Sequence, residues 1–191
     1  PVFMAGEEFD ADYRPLPQLT HGLYGEGDPG KGRWLYGSWI DWEQLKNPEK
    51  AEMLEDMKRI IKIRRAHPHL IRPGRMGEET ERFCPLDYEA DEILPVPYIY
   101  REKEEVLLIA ANPDEEKNVW IKPDLSEVLQ PENSYQVSVL FGETPEEMGE
   151  VVWSGKHLSR RKWLIKRDKT SRGGLLVLKI KEIQNGQEAS I

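Results

Sequence analysis

Short apolar runs repeat along residues 98–180, and this pattern restricts the fold more than any other feature of the chain. Seven runs are rich in Val, Ile, Leu, Tyr and Trp, and Pro, Gly, Asn and Asp separate them. They cover residues 98–100, 106–111, 119–121, 135–141, 151–153, 163–165 and 175–180. Runs of this kind predict strands, and seven of them within about a hundred residues predict an antiparallel sandwich or barrel.

Residues 135–141 indicate which side chains face a core. Apolar and polar residues alternate there, and successive side chains of a strand point to opposite faces of the sheet. The inward set is predicted to be Tyr135, Val137, Val139 and Phe141, with Gln136 and Ser138 outward.

A helical pattern precedes the strand-rich region. Asn47 is a favourable N-cap, Pro48 fits the first helical position, and His67-Pro68 ends the pattern. Apolar residues recur at helical spacing between these ends, which predicts an amphipathic helix of roughly five turns covering a sheet or barrel. The buried stripe is predicted to be Leu54, Met57 and Ile61.

The chain begins with Pro1-Val-Phe-Met-Ala-Gly-Glu-Glu-Phe9, where small and apolar residues lead to a glycine and two carboxylates. Such a run is typical of a strand that is buried on both faces, as in a parallel sheet or barrel. Because its backbone groups need partners, we expect residues 2–5 to be paired or covered by a second copy, a companion polypeptide or the chain's own loop. Residues 9–42, rich in Gly, Pro and aromatics, are interpreted as a long ordered loop.

Charge and composition restrict the classes of function. The net charge of -8 argues against a general nucleic-acid binder, because phosphate affinity rests on clustered Lys and Arg. No window of the sequence approaches the roughly 18 apolar residues of a membrane span, so no membrane partner is expected. The single cysteine, Cys84, excludes an internal disulfide and is consistent with a reducing compartment, so a cytoplasmic location is expected.

The reactive residue types form no catalytic or metal-binding pattern in the sequence. The four histidines stand at no metal-ligand spacing with Cys or carboxylates, and His67-Pro-His69 is interpreted as a helix end. Glu7 and Glu8 are adjacent on the predicted strand, so their side chains point to opposite faces and cannot flank one glycosidic bond together. We therefore predict no catalytic residue, metal or cofactor in this chain.

Two motifs, the second in two pieces, resemble the α-amylase superfamily of glycoside hydrolases. Residues 1–9 are similar to that family's eighth barrel strand, and residues 39–45 and 57–68 to its final helix, which typically ends in an Arg-Arg-x-x-Pro-like phrase. The resemblance implies an α+β fragment, in which the terminal β/α unit of a (β/α)8 barrel precedes an all-β antiparallel Greek-key sandwich. The implied division is 1–75 for the strand, loop and helix, 76–94 for a linker, 95–183 for the sandwich and 184–191 for a frayed tail.

The resemblance also implies a function. The family's three catalytic carboxylates lie on earlier barrel strands and would precede Pro1, so the chain is expected to be the C-terminal fragment of an α-glucan-acting hydrolase or transglycosylase. Its expected partners are an α-glucan or oligosaccharide, bound through the parent enzyme, and the remainder of the barrel or a second copy of the chain. The candidate substrate-lining residues are Glu8, Asp10, Tyr13 and Trp34.

An alternative function is a non-catalytic β-sandwich module that binds polysaccharide or a protein partner. Exposed aromatic side chains in a row on one face, among Trp120, Trp153 and Trp163, would favour this alternative. The alternation of their strands places such residues more often in the core.

The chain alone is predicted to hydrolyse no α-glucan, because the family's catalytic carboxylates are expected upstream of it. The measurement is reducing-sugar release from soluble starch, maltooligosaccharides and pullulan. Turnover on the order of 1 per second or more, abolished by Glu8→Gln, would contradict the prediction.

Overall fold

Mostly antiparallel sheets and a few helices give the chain an α+β fold. The computed structural model describes residues 11, 13–15, 38–71, 83–114, 116–142, 150–166 and 174–183 of the 191-residue chain. The chain divides into two units, Pro1–Arg59 and Ile60–Ile191. None of the helices within those described ranges is long and apolar enough to cross a membrane.

The first unit contains a strand pair and the start of the main helix. Strands β1 (Tyr13–Pro15) and β2 (Ser38–Ile40) pair antiparallel, and a 3-10 helix follows at Trp42–Lys46. Helix α1 (Pro48–Ala66) begins at the predicted position, because the Glu49 amide donates a hydrogen bond of 2.9 Å to the Asn47 side chain. The predicted N-cap and the five-turn helix are therefore confirmed, while the predicted opening strand lies outside the described residues.

Two antiparallel sheets form most of the second unit. Their strands are β3 (Phe83–Pro85), β4 (Tyr88–Ala90), β5 (Tyr98–Glu102), β6 (Glu105–Asn112), β7 (Val119–Pro123), β8 (Ser134–Phe141), β9 (Val151–Ser154), β10 (Trp163–Ile165) and β11 (Gly174–Ile183). The larger sheet has the strand order β3-β5-β6-β11-β8-β9, and the smaller sheet has the order β10-β7-β4. All seven runs predicted from the sequence are strands.

The main core lies between the two sheets. Leu108 and Leu178 contribute to it from the larger sheet, and Ile121 and Trp163 contribute from the smaller one. All four are buried. Burying one such side chain stabilises the fold by about 1.5–3 kcal/mol, so this shared core holds the sheets together.

The other face of the larger sheet is covered too. Leu107 and Val177 lie on this face, and Leu70 of the short helix α2 (Pro68–Ile71) packs against them together with Ile60 and Ile63 of α1. Strand β6 is therefore buried on both faces. This explains why its sequence is an almost continuous apolar run rather than an alternating one.

Strand β8 contains a β-bulge, so the predicted alternation of its side chains is wrong at its end. Val139 is opposite Leu178, but Phe141 is opposite Val177, and the register shifts between these pairs. Leu140 is the extra residue, so Phe141 turns to the helix-covered face instead of joining Tyr135 on the sheet–sheet core.

Two further expectations differ from the structure. Ile61 was predicted in the buried stripe of α1, yet its side chain is 42% exposed, and the stripe that meets the sheet is formed by Ile60 and Ile63. Strands β3 and β4 occupy part of the predicted linker at 76–94, because each forms the edge of one sheet. The predicted boundary at residue 75 and the tail at 184–191 lie outside the described residues.

Replacement of Ile63 by Ala should destabilise the second unit by about 1–3 kcal/mol, because Ile63 packs on the sheet. The matched control is Ile61→Ala on the same helix, which should change the free energy of unfolding by about 0.5 kcal/mol or less. Both changes alter helix propensity equally, so the difference measured by urea unfolding isolates packing. Equal effects would contradict this assignment of the helix faces.

Candidate functional site

The residues predicted to line a substrate site fall mostly outside the described part of the chain. The structure does not describe Glu8, Asp10 or Trp34. Tyr13 is described, and it begins strand β1 opposite Ile40.

The three tryptophans considered for polysaccharide binding do not form one exposed row. Trp163 is buried in the main core, and Trp153 packs beside it with ring centroids 5.9 Å apart. The guanidinium of Arg161 lies 4.2 Å from the Trp153 ring centroid and 5.1 Å from that of Trp163. Trp120 is 41% exposed on β7. One of the three thus offers a large exposed ring.

A different aromatic group lies at the edge of the larger sheet. Phe83 of edge strand β3 is 42% exposed, and its ring centroid is 5.2 Å from that of Tyr98 and 5.4 Å from that of Tyr100. Such an edge group offers a surface for stacking or apolar contact.

Two histidines and a glutamate meet where helix α1 ends. His67 follows the last residue of α1, His69 lies in α2, and Glu105 is the first residue of β6. One possible ligand atom from each residue lies within 4.8 Å of the other two. We call these three residues the His-His-Glu cluster.

The backbone explains how the two histidines reach this position. The His67 amide donates to the carbonyl of Ile63 at 3.1 Å, but Pro68 has no N–H, so the helical hydrogen bonds stop there. A new turn follows, because the amides of Leu70 and Ile71 both donate to the His67 carbonyl at 3.2 Å. Leu70 is fully buried and anchors this turn on the sheet.

Glu105 is held by a hydrogen bond and by positive charge. Nε2 of His69 is 3.0 Å from Oε2 of Glu105, and Nζ of Lys179 is 3.9 Å from Oε1. The hydrogen bond to His69, together with the charges of Lys179 and Lys181, lowers the pKa of Glu105. Its carboxylate is therefore ionised at neutral pH.

His67 lies deeper in the cluster than His69. Burial lowers the pKa of His67, and the charge of Lys179 lowers it further. Its Nδ1 atom is buried and has no hydrogen-bond partner among the residues that the structure describes. The ring is therefore neutral at pH 7, with one nitrogen that the surrounding described residues leave unsatisfied.

Two chemical roles fit this arrangement. The contact between His69 and Glu105 can tie the short helix to strand β6 as a hydrogen-bonded pair. The same donors are also ligands for a zinc-type cation, since two imidazoles and one carboxylate form a known three-ligand set.

The sequence shows the pair His67-Pro-His69, but no nearby residue links this pair to Glu105. The spacing of the two histidines was the available signal. The glutamate lies 36 residues beyond His69, and only the packing of helix α2 on the sheet brings them together.

Comparisons with protein-family models, with curated proteins and with solved structures found no match.

Proposed function

We propose that the chain provides the C-terminal part of an α-glucan-acting hydrolase or transglycosylase of the α-amylase superfamily. In this proposal residues 95–183 form the enzyme's Greek-key β-domain, and residues 1–75 hold the final β/α segment of its barrel. The role is structural, with substrate lining by Glu8, Asp10, Tyr13 and Trp34 and with the catalytic carboxylates elsewhere in the parent enzyme.

One observation carries this proposal. The phrase Arg64-Arg65-Ala66-His67-Pro68, which resembles the end of the family's final helix, ends helix α1 where an antiparallel β unit follows. This is the order of elements that the family resemblance implies. Since antiparallel sheets host many functions, the helix-ending phrase supports the proposal more strongly than the sheets do.

The packing of the helix end supports a structural role for the β unit. Ile60 and Ile63 of α1 and Leu70 of α2 pack on the larger sheet. Most helical stability in proteins comes from the packing of an apolar face. A β unit that holds the last turns of a helix therefore stabilises that helix.

A second candidate is a module that binds polysaccharide or a protein partner through the β unit. The exposed ring of Phe83, beside Tyr98 and Tyr100, is the observation that favours it. Trp120 is a second exposed ring, on the smaller sheet.

Calorimetric titration with maltoheptaose separates the two candidates. If the loop lines a glucan site, Trp34→Ala should weaken binding at least about tenfold, equivalent to about 1.4 kcal/mol, and Trp120→Ala should leave it unchanged. The Trp120 variant is the matched control, because it also removes a tryptophan side chain, but from strand β7 rather than from the predicted loop at 9–42. Loss of binding with Phe83→Ala or Trp120→Ala, and not with Trp34→Ala, would favour the binding module. Binding that is unchanged in Trp34→Ala, Phe83→Ala and Trp120→Ala would contradict both candidates.

A further inference from the structure

We propose that His67, His69 and Glu105 form a binding site for a zinc-type divalent cation, which joins the helix junction to strand β6. This inference is independent of the amylase-like function, because it rests on the side chains at the end of α1 and on no sugar contact.

The geometry needs only small side-chain rotations to close around a metal. The ligand atoms lie within 4.8 Å of one another. A tetrahedral zinc ion with bonds of about 2.0–2.2 Å holds its ligand atoms about 3.3 Å apart. His69 can rotate because its side chain is 47% exposed.

The backbones that carry the ligands are fixed from both sides. His67 lies between two hydrogen-bonded turns, and Leu70 anchors the second turn on the sheet. Glu105 is paired with Glu102 on β5 and with Lys181 on β11. The fold therefore holds the ligand backbones in place before a metal binds. This reduces the conformational entropy that is lost on binding.

The cluster also supplies the chemistry that a zinc-type ion requires. Two imidazole nitrogens and one carboxylate oxygen leave a fourth position for water or for a further ligand. The buried Nδ1 of His67 has no hydrogen-bond partner in the described part of the chain, and it is a nitrogen that the metal could satisfy.

Lys179 is the group that opposes cation binding. Its Nζ is 3.9 Å from Glu105, so its positive charge competes with a metal for the same carboxylate. The side chain is partly exposed and can move toward solvent when a cation binds. This competition predicts that removal of the lysine charge strengthens metal binding.

The test uses the full chain, without a polyhistidine tag and with Cys84→Ser as background, so that no thiol contributes a ligand. Zn²⁺ is titrated by calorimetry at pH 7.5, and Co²⁺ binding is followed by its visible absorption. We expect one Zn²⁺ per chain and a higher melting temperature with metal than with chelator. The absence of saturable binding below about 1 mM would overturn the proposal.

Variants then locate the site. His69→Gln and Glu105→Gln should each weaken Zn²⁺ binding by about 10- to 100-fold or more, and Lys179→Gln should strengthen it about tenfold. The matched control is His157→Gln, which removes an exposed histidine of the helix Gly155–Leu158 outside the cluster. This variant should bind Zn²⁺ with unchanged affinity. Circular dichroism verifies that each variant is folded.

Two further outcomes would overturn the assignment. One is Zn²⁺ binding that survives unchanged in both His69→Gln and Glu105→Gln, and the other is binding that is lost with His157→Gln. Lys179→Gln retains all three ligands, so it still tests the proposal if a ligand variant fails to fold. If this variant binds Zn²⁺ more weakly than the unmodified chain or equally well, Lys179 does not compete with the metal for Glu105, and the proposed site is contradicted.

Discussion

The antiparallel pairing of strands β6 and β11 is the interaction on which the second unit depends. The pairing runs from Glu105 opposite Lys181 to Asn112 opposite Gly174. The two strands have hydrogen-bonded neighbours on both sides, and they bury side chains on both faces of the sheet. Leu108 and Leu178 lie in the core between the sheets, while Leu107 lies under the helical layer. Without this pair, neither the smaller sheet nor the helix end would have an apolar surface to pack on.

The His-His-Glu cluster follows from the same arrangement. Proline at position 68 breaks helix α1, and the buried side chain of Leu70 docks the next turn beside Leu107. This docking places two imidazoles above the start of β6, where Glu105 begins the strand. Leu70 directly follows His69 in the sequence, so its packing against Leu107 positions the His-His-Glu cluster.

The sequence predicted the locally encoded features. The N-cap at Asn47, the length of α1 and all seven strand runs depend on neighbouring residues, and these were found. The sequence did not predict features that depend on contacts with distant elements of the same chain. Phe141 changes face because of a bulge against β11, and Ile61 is exposed because the sheet meets the other side of the helix. Glu105 could not be assigned to the cluster for the same reason, since nothing near it in the sequence indicates a histidine partner.

Native-state hydrogen exchange tests most directly whether the β6–β11 pair organises the second unit. Amides near the centre of this pair, at Leu108 and Leu178, should exchange only through global unfolding, with an exchange free energy equal to that from urea unfolding. Amides of the edge strand β9 (Val151–Ser154) should exchange by local opening at a lower free energy. If the amides of Leu108 and Leu178 exchange as readily as those of β9, the central pairing is not what holds the unit together.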